Sequence, residues 1–146
     1  MVERKEYLDQ LWAWKDERQI KVVTGIRRCG KSVLLEQYQQ RLLANGVAPE
    51  QIISINFENL DYERLKDYMR LYNYLKERLC VDKMTYIFLD EVQEVPSFEK
   101  VVDSLYIRDH VDVYITGSNA YMLSSELATL LSGRYTEIKM LPLSFR

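Results

Sequence analysis

The stretch Val22–Ser32, VVTGIRRCGKS, constrains this chain more than any other. Two β-branched residues lead into Gly25, and four residues separate it from Gly30-Lys31-Ser32, the spacing G-x-x-x-x-G-K-[ST]. Glycines let the backbone curl so that successive N–H groups face one concavity suited to phosphate oxygens. Gly25, Ile26, Arg27, Arg28, Cys29, Gly30, Lys31, Ser32 and Val33 are therefore the candidate phosphate cradle. Lys31 would bring a mobile positive charge to the β- and γ-phosphates of a nucleotide, and the Ser32 hydroxyl is placed to ligate Mg²⁺. A helix starting here adds the positive end of its dipole. With average glycine usage of about 7%, a chance match arises on the order of once in a few hundred chains of this length. The competing view, a surface turn with an incidental lysine, is set aside once a strand precedes the loop and a helix follows it.

Both contexts are present. An imperfect apolar stripe over residues 3–18 (Tyr7, Leu8, Leu11, Trp12, Trp14) predicts a helix with both tryptophans on a sheet. The first strand is Ile20–Thr24. A helix over Lys31–Ala44 follows, with Leu34, Leu35, Tyr38 and Leu42 on one face and Asn45-Gly46 and Pro49 as its stop. The second strand is Gln51–Phe57. One helix over Asp61–Leu79 comes next, its face formed by Leu65, Met69, Tyr72, Leu75 and Leu79, with its tyrosines as packing groups. Thr85–Asp90, TYIFLD, is a near-continuous apolar run that suits a central strand covered on both faces. After a loop, Ser97 reads as the N-cap of a helix burying Phe98, Val101, Val102 and Leu105. A fourth strand (Val111–Thr116), the turn Gly117-Ser118-Asn119, helix over about 120–131, a stop at Gly133 and a fifth strand (Tyr135–Met140) complete the chain. Strands alternating with helices give an α/β fold with a parallel sheet, whose ligands bind beyond the carboxyl ends of the strands. The loop after strand one, Asp90-Glu91 after strand three and Ser118-Asn119 after strand four all fall at that edge.

A length of 146 residues suits one domain, 1–146, with its own core. A net charge of −2 offers no global basic field, so charge suggests no nucleic-acid partner. The N-terminus is too charged for a signal peptide and no apolar run reaches membrane-spanning length, which makes a cytoplasmic location the expectation. Cys29 and Cys80 show neither metal spacing nor a disulfide framework and read as reduced thiols, with a redox-sensitive loop at Cys29 as the alternative. His110 precedes a strand without a catalytic or metal partner and reads as a loop residue.

Asp90 and Glu91 close a hydrophobic strand. Asp90 would hold Mg²⁺, directly or through water, and Glu91 is placed to orient or deprotonate an attacking water. The chain resembles the AAA+-related ATPases of the P-loop superfamily, and looks most like the AAA-type domain at the N-terminus of many bacterial and archaeal ATP-binding proteins. The resemblance rests on TGIRRCGKS, YIFLDEVQEV, YITGSNA and LSGRYTEIKMLPLSF, and covers essentially the whole chain. It implies a P-loop NTPase three-layer sandwich whose parallel five-stranded sheet has the order 5-1-4-3-2, with ATP as the nucleotide. It implies a γ-phosphate sensor at Ser118 or Asn119, either of which could instead be part of a plain turn. It makes Arg134 an arginine finger received by a neighbouring subunit of a homo-oligomer, or else a helix-capping arginine. It also suggests that Asn56 holds Glu91 back until a partner binds, unless it is an ordinary polar strand end. AAA+ modules usually continue into a helical lid, and members of this family into a C-terminal nuclease-like domain. A chain ending at Arg146 therefore reads as a fragment of a longer protein, or else a truncated gene product, and is expected to bind nucleotide weakly and turn over poorly. The function expected is Mg²⁺-dependent ATP binding and hydrolysis coupled to conformational change. The alternatives are an ATP-sensing switch with little hydrolysis, or a small-molecule kinase, which the glutamate directly after Asp90 argues against.

Overall fold

The computed structural model describes residues 2–25, 30–117, 131 and 134–140. Its organising element is the strand β3 (Thr85–Asp90), buried along its whole length. Successive side chains of a strand point to opposite faces, and those of β3 enter two different cores. Ile87 and Leu89 join one cluster, while Tyr86 and Phe88 join the other. The strands β1 (Ile20–Thr24) and β4 (Val111–Gly117) behave alike, with Val22, Val113 and Ile115 on the first face and Val23 and Tyr114 on the second. A sheet buried on both faces needs a helical layer on each side, hence three layers.

With β2 (Ile52–Asn56) and β5 (Tyr135–Lys139), the sheet is parallel throughout, in the order β2-β3-β4-β1-β5. This is the expected 5-1-4-3-2 order. One layer contains α3 (Tyr68–Glu77) and α4 (Phe98–Tyr106), which supply Leu71, Leu75, Phe98, Val101, Val102 and Leu105 to the first core. The other contains α1 (Val2–Ala13) and α2 (Lys31–Ala44), which supply Leu11, Leu34, Leu35, Tyr38 and Leu42 to the second. Among the described residues, no helix is long and apolar enough to cross a membrane.

Three local expectations are corrected. The helix expected over 61–79 is a 3-10 segment, Leu60–Lys66, followed by α3. Asp67 separates them with extended backbone, and its side chain accepts the Arg70 N–H at 2.9 Å, so an aspartate cap starts a new helix there. The restart shifts the apolar phase: Leu71 is buried, whereas Met69 is 49% exposed. Trp14 is 39% exposed because α1 ends at Ala13, while Trp12 packs edge-on to Tyr38 at 6.0 Å. Ser97 does stand at the N-cap of α4, but with φ 63° and no side-chain cap bond. The helix expected at 120–130 lies outside the described residues.

Beneath α1 and α2 the second core contains a polar network. Lys21 Nζ donates to Asp112 Oδ1 at 2.6 Å and to the Glu17 carbonyl at 2.7 Å. Asp112 Oδ2 accepts the Asp16 N–H and the Tyr114 hydroxyl, and Tyr114 meets the Tyr38 hydroxyl at 2.8 Å. Burial, reinforced by the Asp112 carboxylate, pushes the Tyr114 hydroxyl well up, so it stays protonated and donates. Among the described atoms, every charge here has a partner of opposite sign or a donor, which makes deep burial tolerable.

Candidate functional site

The carboxyl ends of β1 and β3, with β4 between them in the sheet, bring the predicted residues together. Gly25 is buried directly after β1, and Gly30 stands at the N-cap of α2 with φ 100°, a conformation that suits glycine. Its carbonyl accepts the Leu34 N–H at 2.9 Å, so the helix begins at once. Lys31 and Ser32 thus occupy the first turn of α2, where the backbone N–H groups and the helix dipole favour anions. Lys31 is only 4% exposed and its Nζ donates to the Gly25 carbonyl at 3.2 Å. Val33 points outward. Ile26, Arg27, Arg28 and Cys29 lie outside the described residues, as do Ser118 and Asn119.

Asp90 and Glu91 meet this turn. The Ser32 hydroxyl donates to Asp90 Oδ2 at 2.5 Å, and Lys31 Nζ is 3.8 Å from Glu91 Oε2. Both carboxylates are nearly buried, at 6% and 7% exposure. A lysine facing a glutamate and a hydroxyl facing an aspartate therefore bring two parts of the chain, 58 residues apart, into contact. Among the described residues, no group of three or more His, Cys, Asp or Glu side chains is gathered to hold a metal. The Ser32–Asp90 oxygens nonetheless form a hard donor pair of the kind Mg²⁺ takes, since that ion fills its other positions with water and phosphate oxygens.

Two participants escaped the sequence reading. Thr116, fully buried near the end of β4, donates to Asp90 Oδ1 at 2.5 Å and accepts the Glu91 N–H at 2.9 Å. Gln93 Nε2 donates to Glu91 Oε1 at 2.7 Å. The available signals were a hydroxyl closing the apolar run VYIT and an amide two residues past the acidic pair. Asn56 stands opposite Asp90 in the β2–β3 register, and its Oδ1 accepts the Glu58 N–H at 2.9 Å.

Arg134 is elsewhere. It is exposed just before β5, and its carbonyl accepts the Ile20 N–H at the amino end of β1. Its guanidinium lies 5.1 Å from the Tyr106 ring centroid, at the end of α4. The length of β1, roughly 13 Å at 3.3 Å per residue, separates it from the loop that follows Thr24. Of the remaining candidates, Cys80 is a free thiol and His110 is an exposed loop residue.

Among solved structures, the fold is similar to Drosophila ORC bound to AT-rich DNA and Cdc6, with a TM-score of 0.63 and 10% identity over 99% of this chain and 57% of that one. It is also similar to C. elegans PCH-2, with a TM-score of 0.61 and 14% identity over 99% of this chain and 43% of that one. An uncharacterized protein of Haemophilus influenzae is 46% identical over all of this chain and 37% of its own length. An uncharacterized protein of Methanocaldococcus jannaschii is 36% identical over 87% of this chain and 27% of its own. The chain thus spans between about a quarter and little more than a third of the length of these curated relatives. A family model described as AAA domain matches residues 17–146. With that match over the parallel sheet and its loops, the chain belongs to the AAA domain family and forms an AAA+ P-loop ATPase-type domain.

Proposed function

We propose that this domain binds ATP with Mg²⁺ and hydrolyses it, and that the cycle drives a conformational change. The observation that carries the reading is the direct contact of Lys31 and Ser32 with Glu91 and Asp90 at one edge of the sheet. Gly25, Gly30 and the first turn of α2 hold the phosphates, with Ile26–Cys29 and Val33 completing the loop. Lys31 exchanges the Gly25 carbonyl for phosphate oxygens when nucleotide enters. Ser32 and Asp90 hold Mg²⁺, which supplies neutralisation of the charge developing on the β- and γ-phosphate oxygens. Glu91 takes a proton from the attacking water as general base. Ser118 or Asn119 reads the γ-phosphate. Arg134, at the far edge of the sheet, serves a neighbouring copy.

The test compares the chain with its Glu91→Gln and Lys31→Ala variants, measuring ATP affinity by calorimetry and phosphate release in a single turnover. Loss of a general base should slow release by about 10²–10⁴-fold with ATP affinity retained, while Lys31→Ala should weaken binding itself. A parent chain that binds ATP yet releases phosphate no faster than Glu91→Gln would be a nucleotide-sensing switch instead.

A further inference from the structure

We propose that Gln93 is a positioning residue that aims the Glu91 carboxylate at the phosphate loop, an inference that rests on the hydrolytic reading above. Glu91 has φ 59° and ψ 51°, a left-handed conformation uncommon for a residue with a side chain. It is held there from two sides. Its N–H is bound by Thr116, and its carboxylate Oε1 accepts the Gln93 amide at 2.7 Å. The second oxygen, Oε2, is the one that faces Lys31 at 3.8 Å. The two oxygens are thus differentiated, one tied back by a neutral donor and the other directed toward the head of α2.

Gln93 is well placed for this task. It sits on a single 3-10 turn, Val92–Glu94, anchored by the fully buried Val92 and Val95. A carboxylate accepts only donors, so the NH₂ end of the amide must face Glu91. The other end, Gln93 Oε1, is buried without a hydrogen-bond partner among the described residues. An apolar side chain of the same length would remove that orphaned acceptor. The amide's donor end is the feature that an apolar residue could not supply. When Lys31 turns to phosphate, the Gln93 bond is kept, because Gln93 and Glu91 lie together on the turn that follows β3. An uncharged donor also orients the carboxylate without competing with Lys31 for the phosphates.

The experiment measures the single-turnover rate of ATP hydrolysis, the ATP dissociation constant and thermal stability for the chain, Gln93→Met, Gln93→Glu and Glu91→Gln. Misdirecting a catalytic group costs on the order of 10- to 100-fold in rate. Gln93→Met should lose that much with ATP affinity unchanged, and Gln93→Glu, equal in length but repelling Glu91, should lose at least as much. In a Glu91→Gln background, changing Gln93 should cost nothing more, since residues acting through one group are not additive. Wild-type turnover in Gln93→Met beside an inactive Glu91→Gln would overturn this proposal alone. A loss of ATP affinity or stability that matches the loss of rate, or additive losses in the double variant, would also overturn it and make Gln93 a structural residue. A parent chain that hydrolyses no faster than Glu91→Gln would overturn the hydrolytic reading and this one with it.

Discussion

One hydroxyl ties the two acidic residues of the site to the middle of the sheet. Thr116 donates to Asp90 Oδ1 while accepting from the Glu91 N–H, so a single side chain fixes a carboxylate and the backbone beside it. Thr116→Val keeps the shape and removes both bonds, leaving a buried N–H and a buried carboxylate oxygen each short of a partner. We expect unfolding free energy from urea titration to fall by about 1–3 kcal/mol, and Thr116→Ser to restore most of it. Lys31, Ser32, Asp90 and Glu91 were legible in the sequence because their chemistry is written in local spacing. Thr116 and Gln93 were not, because their roles depend on the left-handed turn at Glu91 and on how β3 and β4 lie side by side. Neither is a property of neighbouring letters.

At the level of elements, the helices with strict apolar spacing formed as read. The faces of α2 and α4 bury the very residues named from periodicity. The long helix after β2 failed because Asp67 offers the backbone a cap that competes with helix continuation. Asp67→Ala should therefore destabilise the domain by about 1 kcal/mol, read as a lower urea midpoint. The network around Lys21 was equally hidden, since a lysine inside IKVVT looks like a solvated position. Removing its ammonium in Lys21→Met would strand the buried Asp112 carboxylate, at a cost of about 3–5 kcal/mol. Replacing both, as Lys21→Met with Asp112→Leu, should recover much of that loss in the same measurement.

Across the whole molecule, alternation of strands and helices gave the parallel sheet, but strand order came from the family resemblance. Order is a matter of which crossover passes over which, and periodicity carries no record of it. Once the order is known, the location of Arg134 acquires meaning, because the register Ile20↔Tyr135 puts it beside the start of β1 and the phosphate loop beside its end. If Arg134 completes a neighbour's site, turnover per chain should rise with protein concentration. Arg134→Ala should abolish that rise and lower the plateau by about 10³-fold, as measured by steady-state assay across a dilution series. The arrangement also limits how copies could join. A donor and a receiver that lie apart on one chain satisfy each other about a two-fold axis only if one shared face carries both, so that each arginine enters the other copy's site. Copies that instead follow head to tail pair each donor with the next receiver along the row. An open row of that kind ends in one chain whose site lacks its arginine, whereas a closed ring leaves every site complete.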